Sequence, residues 1–471
     1  MITVSFESRG SATLCDYLCD SIKRQIERGE LKADERLPSK RALSENLGVS
    51  VITVQNAYSR LIDLGYLYSV EKKGFFVSDL LPVKSVPGAE VKERLMERER
   101  KVEYFADFTS GASNFERFPF SVWAHTLRHV LNSGDERLLE RNGPCGVEPL
   151  CDSIARYLKE FRGMSVRPEQ VVVGAGTENL YSMLAALLGR QRRIAVENPG
   201  YKKIYSLLTM NGVKCVPIKL DGHGMDMSAL EASGADVAHV SPSHHFPTGM
   251  VMPVRRRQEL LRWAGRGGRK RFIIEDDFDS EFRFNGKPLP TLQSEDSGGN
   301  VIYVNTFSKT LSPSFRIGYM VLPVRMAETF RKRFSFCSCP VSSFEQYTLA
   351  QFMGSGDYGA HIRRMKNYYR SLRNELIRAL EESAVTDFCG IHEEDAGLHF
   401  LLTVENASVD AARIASELRE KKSVRLPLLS DYFYGAVPAS WRNTFVVNYG
   451  GIKKERIAET VARMEDVFRS L

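Results

Sequence analysis

The sequence predicts an α/β protein in two unequal parts, a small helical module closed by a hairpin and a large domain built on a mainly parallel sheet. Three observations carry this expectation. Residues 1–78 place apolar side chains at helical spacing between turn residues, residues 79–104 change composition, and from residue 105 short apolar runs alternate with helix-length segments.

Each element of the small module has its own signal. Leu14, Leu18, Ile22 and Ile26 recur every four residues up to Gly29, which predicts a first helix. Ser39 can cap a second helix that carries Ala42, Leu43 and Leu47 and stops at Gly48. Ser50 can cap a third, whose Val54, Tyr58, Leu61 and Ile62 face inward and which ends at Gly65. Two helices joined this tightly make a helix-turn-helix. Residues 66–70, the turn Glu71-Lys72-Lys73-Gly74 and residues 75–77 predict a hairpin, the wing of a winged helix.

Residues 79–104, with Pro82, Pro87, Gly88 and then the charge-alternating KERLMERERK, have the composition of a linker. Beyond them strands are expected at 171–173, 194–196, 237–240, 272–274 and 301–304, in a sheet covered on both faces. A terminal α+β subdomain is expected from about residue 384 to residue 471.

Composition excludes several classes. A chain of 471 residues is too long for one ordinary compact domain, and 43% hydrophobic with 26% charged residues excludes disorder, collagen and coiled coil. No run of about 18 apolar residues occurs, and the first 30 residues carry charges throughout, so neither a membrane span nor export is expected. The eight cysteines include no CxxC pair, which predicts neither a disulfide framework nor a zinc site, and the reducing cytoplasm is the expected compartment. The net charge of +7 hints weakly at a polyanionic partner, but residues 1–84 hold 12 basic against 11 acidic side chains. Any case for DNA rests on the helix-turn-helix, not on bulk charge.

The stretch VIYVNTFSKTLSPSFRIGY, residues 301–319, is the most informative: a strand ends in Ser308-Lys309, and Arg316 follows. Thirty-three residues before Lys309 the strand RFII runs into Glu275-Asp276-Asp277, which sets carboxylates at the carboxyl end of a parallel strand, where open α/β sheets bind ligands. Earlier still, VVVGAGTENL is a strand, a glycine-containing turn and a helix start, able to offer N–H groups to a phosphate. A lysine for a Schiff base, a carboxylate for a pyridinium nitrogen, and amides plus Arg for a phosphate are what pyridoxal phosphate (PLP) requires.

On these residues the chain from 105 to 471 resembles a fold-type I, PLP-dependent aminotransferase, and GELKADERLPSKRALSENLGVSVITVQNAYSRLIDLGYL resembles a GntR-type winged helix. Their union in this order resembles the MocR/GabR group of PLP-dependent transcription regulators. The resemblance implies an N-terminal winged helix-turn-helix DNA-binding domain at 1–78, a linker at 79–104 and an aminotransferase-like effector domain at 105–471. It implies an internal aldimine at Lys309, with Asp276 on the pyridine nitrogen and Asp277 a structural neighbour. It further implies that Gly176, Thr177, Thr306, Ser308 and Arg316 hold the phosphate and that Tyr201, in ENPGY, lies beside the ring.

For an amino-acid effector it implies cations at Arg425 and Lys203, with Arg442 a further candidate, and Arg141 in RNGPCG as a residue that reaches a phosphate across a homodimer. Lys203 stands where a GABA-responsive member has Arg and lacks its bidentate fork, so an effector other than GABA is open. In the DNA module Ser50, Thr53, Gln55 and Asn56 are expected toward the major groove, with Arg41, Lys72 and Lys73 on phosphates. Relatives often carry Arg at the positions of Val51 and Gln55, so guanine readout by Arg is not expected there.

The reading is therefore a dimeric, cytoplasmic regulator that binds operator DNA and senses a small amino compound through an external aldimine. The alternative is a working aminotransferase with an accessory N-terminal module, distinguished by steady oxo-acid production. Phe246 stands where aminotransferases carry Asn in HNPTG, and Phe278 where they carry Tyr in EDDY, so both usual donors to the cofactor's phenolate oxygen are absent. A phenolate with fewer donors holds the Schiff-base proton more tightly. The protein is thus expected to be yellow and protonated at neutral pH, and a spectral titration that finds the imine mostly deprotonated there overturns this.

Overall fold

The computed structural model describes residues 2, 4, 6, 12–80, 102–109, 117–267, 270–284, 289–395, 397–405 and 409–470. The chain divides into two compact units, Met1–Lys101 and Val102–Leu471.

The first unit holds α1 (Leu14–Glu27), α2 (Lys40–Leu47), α3 (Val51–Asp63) and an antiparallel hairpin of β1 (Leu67–Val70) and β2 (Gly74–Val77). Local chemistry sets these boundaries. The Ser39 hydroxyl accepts the Ala42 N–H at 3.2 Å and the Ser50 hydroxyl accepts the Thr53 N–H at 3.1 Å, so each helix start has a donor satisfied. Gly48 takes φ +63, the left-handed conformation that ends α2 and lets α3 begin within three residues. Leu18, Ile22, Leu43, Val54, Ala57, Tyr58 and Leu61 close the core together with Leu67 and Val77 of the hairpin, while Leu14 is only half-buried. The Tyr58 hydroxyl donates to the Pro38 carbonyl at 3.0 Å and so ties α3 to the entry of α2.

The second unit contains β3 (Ala106–Asp107), β4 (Val171–Gly174), β5 (Arg193–Asn198), β6 (Lys214–Asp221), β7 (Gly224–Met225), β8 (Val237–Val240), β9 (Phe272–Asp276), β10 (Val301–Thr306) and β11 (Gly318–Val321). They are followed by β12 (Cys389–His392), β13 (His399–Val404), β14 (Val424–Arg425) and β15 (Thr444–Asn448). The main sheet runs β4-β11-β10-β9-β8-β5-β6-β7. Its centre is parallel, from β10 through β9, β8 and β5 to β6, and β11 lies antiparallel between β4 and β10.

Helices α4 (Phe120–Asn132), α5 (Glu148–Arg162), α6 (Gly176–Leu188) and α7 (Lys202–Met210) precede or follow the first of these strands. Val171 and Val173 pack with Leu150, Ile154 and Leu158 of α5 on one face. Val172 packs with Leu180 and Leu184 of α6 and Ile204 of α7 on the other. Successive side chains on a strand point to opposite faces, so a strand covered twice must be apolar throughout, as β4 is.

The carboxyl-terminal region forms an antiparallel sheet β12-β13-β15 with helices Ala411–Lys421 and Ile457–Phe468. Its core is not contiguous in sequence. It takes in Ala106 and Phe108 from the start of the unit and Met365, Tyr369, Leu372 and Leu376 from helix Asp357–Glu381. β3 pairs in parallel with β14, with Ala106 opposite Val424 and Asp107 opposite Arg425.

Leu43 is fully buried among α1, α2 and α3. Leu43→Ala is expected to destabilise the N-terminal unit by about 2–5 kcal/mol, measured as an earlier denaturant midpoint for that unit's transition.

Candidate functional site

The register of two neighbouring parallel strands builds the site. β10 lies beside β9 with Val304 opposite Asp276, so Asp276 and the residues that follow Thr306 reach the same carboxyl edge of the sheet. There a cavity of about 230 Å³ opens. Its lining brings together Asp276 from β9, Thr306, Ser308, Lys309 and Arg316 around the end of β10, and Thr177 from α6. Tyr201, Lys203, Phe246 and Phe278 complete the set of sequence-expected residues in it.

Lys309 keeps some surface toward the cavity but is walled in closely enough that desolvation draws its pKa below the usual lysine value, with the Asp279 carboxylate acting in the opposite direction. The neutral amine is the nucleophilic form, so burial prepares this nitrogen for attack on a carbonyl carbon.

Asp276 has a built support. The Tyr181 hydroxyl donates to Asp276 Oδ2 at 3.0 Å and lies 2.6 Å from His239 Nε2. A hydroxyl has one proton, so a Tyr181 that donates to Asp276 accepts from His239, which fixes the Nε2–H tautomer. Burial and the neighbouring Asp276 hold the Tyr181 phenol well above the usual tyrosine range, so it stays a donor. Asp277, one residue on, turns to the other face. It is fully buried and is met by Arg162 at 2.8 Å, the Tyr303 hydroxyl at 2.6 Å and the Ser280 hydroxyl at 2.8 Å.

The cationic end lies where β4 turns into α6. Gly176 has φ +76, and a Cβ there would come 3.1 Å from the Arg316 guanidinium carbon. A side chain here would be strained by the positive φ and would press on the guanidinium. Arg316 itself adopts φ +52, and its guanidinium pairs with Glu178, which also pairs with Lys203. One carboxylate thus bridges the two cations, and the space between them suits an anion.

Phe246 is buried and meets Tyr201 edge-on at 5.7 Å and Phe278 at 6.1 Å between ring centroids. Behind the two phenylalanines the His244 Nδ1 lies 3.0 Å from Asp279 Oδ1, and the His399 ring is 4.4 Å from that of His244. The ligating atoms of this buried trio lie within 4.8 Å of one another.

Three further sequence candidates do not line the cavity. Arg425 pairs with Asp107 at 3.7 Å across β14 and β3, Arg442 donates to the Val437 carbonyl at 3.3 Å, and Arg141 donates to the Ser338 hydroxyl at 2.6 Å and the Phe336 carbonyl at 2.7 Å. Conversely, Tyr181, His239 and Glu178 escaped the sequence reading. Tyr181 follows Thr177 by four residues on α6 and therefore shares its face, a helical signal that was present. The role of His239 comes only from the neighbour that α6 provides.

In the first unit Gln55, Asn56 and Arg41 are exposed, and Lys72 and Lys73 stand in the hairpin turn, where Lys72 has φ +61. The Ser50 and Thr53 hydroxyls lie 2.8 Å apart and bond to each other.

The larger unit is of the aminotransferase class: residues 105–448 match the family described as aminotransferase class I and II. Its fold is similar to that of an archaeal alanine:glyoxylate aminotransferase, with TM-score 0.69 and 22% identity over 79% of this chain and 92% of that one. Residues 16–77 match the bacterial regulatory proteins of the gntR family. The whole chain is 31% identical to the probable rhizopine catabolism regulatory protein MocR of Rhizobium meliloti, over 96% of this chain and 93% of MocR. It is 30% identical to the transcriptional regulator TauR of Rhodobacter capsulatus, over 98% and 97% respectively. The chain belongs to the MocR group of GntR-family transcription regulators, which join a helix-turn-helix to an aminotransferase-like domain.

Removing one partner of a buried ion pair leaves the other charge uncompensated. Asp277→Asn is therefore expected to cost about 3–5 kcal/mol of stability, since Arg162 would stay buried, and chemical denaturation measures it.

Proposed function

We propose that this regulator binds pyridoxal phosphate at Lys309 and senses a small amino compound there, and that the change reaches operator DNA through a homodimer with two winged helices. The observation that carries the reading is the meeting of a desolvated lysine, a supported carboxylate and a glycine-arginine cradle at one sheet edge. These residues fit the cofactor's three chemical demands, an amine for its aldehyde, an acid for its ring nitrogen and cations with amides for its phosphate.

When bound, the group supplies an aldehyde carbon that amines attack and a ring that draws electron density from it. Lys309 would provide the nitrogen for that carbon, and burial, which lowers its pKa, favours the neutral amine. Asp276 would hold a proton at the ring nitrogen, and Tyr181 fixes the orientation of its carboxylate. Arg316, the N–H groups at Gly176 and Thr177, and the Thr306 and Ser308 hydroxyls would hold the phosphate, with Arg316 now paired to Glu178. Tyr201 would pack beside the ring, and Phe246 and Phe278, which meet each other in the cavity wall, have no hydrogen bond to donate to its phenolate oxygen.

Lys203 lines the same cavity and serves as the cation for an effector carboxylate; Arg425 and Arg442 serve only if the effector domain rearranges or a second subunit contributes, as Arg141 would across the dimer. On DNA, α3 enters the major groove with Gln55 and Asn56, and Arg41, Lys72 and Lys73 neutralise phosphates. The protein acts as a ligand-driven switch, since an effector shifts the DNA-binding equilibrium by its differential affinity for the two states.

Borohydride treatment of the purified protein followed by peptide mass spectrometry is expected to find the reduced cofactor on Lys309, and Lys309→Ala is expected to abolish the near-visible absorbance. An adduct elsewhere, or a colourless wild-type protein after incubation with pyridoxal phosphate, refutes the assignment.

A further inference from the structure

Within the DNA-binding reading, on which this inference rests, the free side chains of α3 restrict the base pairs it can recognise. The inward face of α3 is spent on the core through Val54, Ala57, Tyr58 and Leu61. The outward face presents Ile52, Gln55, Asn56 and Ser59, at helical i, i+3, i+4 and i+7, with Val51 beside them at the first turn. All five are exposed, Ile52 at 70% and Val51 at 41% of their full surface.

The other polar groups of this region are committed. The Ser50 hydroxyl caps the helix by accepting the Thr53 N–H and shares one hydrogen bond with the Thr53 hydroxyl, which holds both side chains against the helix start and leaves the pair a single spare hydroxyl proton. Arg60, the one basic residue of α3, is paired with Asp16 of α1 and stands in the last turn, away from the end that enters a groove. The groove-entering end of α3 therefore offers two aliphatic side chains, two amides and one spare hydroxyl proton, and no cation of its own.

The major groove displays one apolar group, the C5-methyl of thymine, and Asn or Gln bonds bidentately to the N6 and N7 of adenine, whereas guanine's O6 and N7 are matched by Arg or Lys. We infer that the part of the operator half-site beneath the first two turns of α3 is made of A·T pairs, with thymine methyls against Val51 and Ile52 and adenine edges read by Gln55 and Asn56. Either aliphatic residue alone is an ordinary surface residue. Their joint position on the turn that leads into the groove, beside two free amides and no free guanidinium on α3, is what carries the inference. Exposure that would be idle in water becomes contact area against methyl groups.

The test uses the full-length protein loaded with pyridoxal phosphate and a random-sequence duplex library selected at physiological salt. Selected half-sites are expected to carry consecutive A·T pairs at their centre. Replacing those thymines by uracil removes only the methyl groups and is expected to weaken wild-type binding by about 4-fold per contacted methyl, the worth of one buried methylene. Ile52→Ala, at an exposed position that leaves the fold intact by circular dichroism, is expected to lose about 4-fold of the preference for thymine over uracil and to keep the share that Val51 contributes. Gln55→Ala is expected to lose at least about 5-fold of the preference for A·T over G·C at one position. Half-sites with G·C at these positions, a wild type indifferent to uracil, or salt-sensitive binding without any selected sequence each overturn the inference while leaving DNA binding in place. A protein that binds no duplex at all overturns the regulator reading itself, and the inference with it.

Discussion

The constraint on which the rest of the structure depends is the parallel adjacency of β9 and β10. Two strands that run the same way end at the same edge, and this brings a carboxylate and a lysine, thirty-three residues apart in sequence, to one cavity. Holding ionisable groups away from water is costly unless they are supported, and the support accounts for much of the polar architecture around the sheet. Tyr181 and His239 stand by Asp276, and Arg162, Tyr303 and Ser280 surround Asp277. The alternation of a strand separates the two acids. Asp276 keeps a face to the cavity, while Asp277 is enclosed among bonds that bind the sheet to α5 through Arg162.

Such a site also needs an end that welcomes anions, and the turn from β4 into α6 provides one. Gly176 and Arg316 both have positive φ, and each conformation serves the other: the missing Cβ leaves space for the guanidinium. Glu178 then shows how close the balance is, since one carboxylate satisfies both Arg316 and Lys203. An anion that took Arg316 would compete with that carboxylate, and the Lys203 ion pair depends on the same side chain.

Much of the fold was legible because it follows from patterns that one sequence displays. The central strands are uninterrupted apolar runs, as strands covered on both faces must be, and the three N-terminal helices carry their caps and stops in order. β6 was not legible: it contains Pro217, has exposed ends and only half-buried residues for much of its length. β11 was hidden because its residues belong to the stretch that stood out for Lys309 and Arg316. In the site, Lys309 and Asp276 could be placed because strand ends are visible in sequence. Tyr181 and His239 could not, since their importance lies in a contact between α6 and β8 that no local spacing encodes. Arg425 was proposed from resemblance alone, and in this chain it faces Asp107 across a two-residue strand pair.

That small strand pair has a mechanical meaning. β3 lies a few residues after the point where the larger unit begins, and it is hydrogen-bonded to β14, not to the main sheet. Phe105, just before it, bonds Ser423 and is gripped by Arg456 and Arg463. The first residues of the larger unit are therefore anchored to the carboxyl-terminal lobe and not to the sheet that carries the lysine.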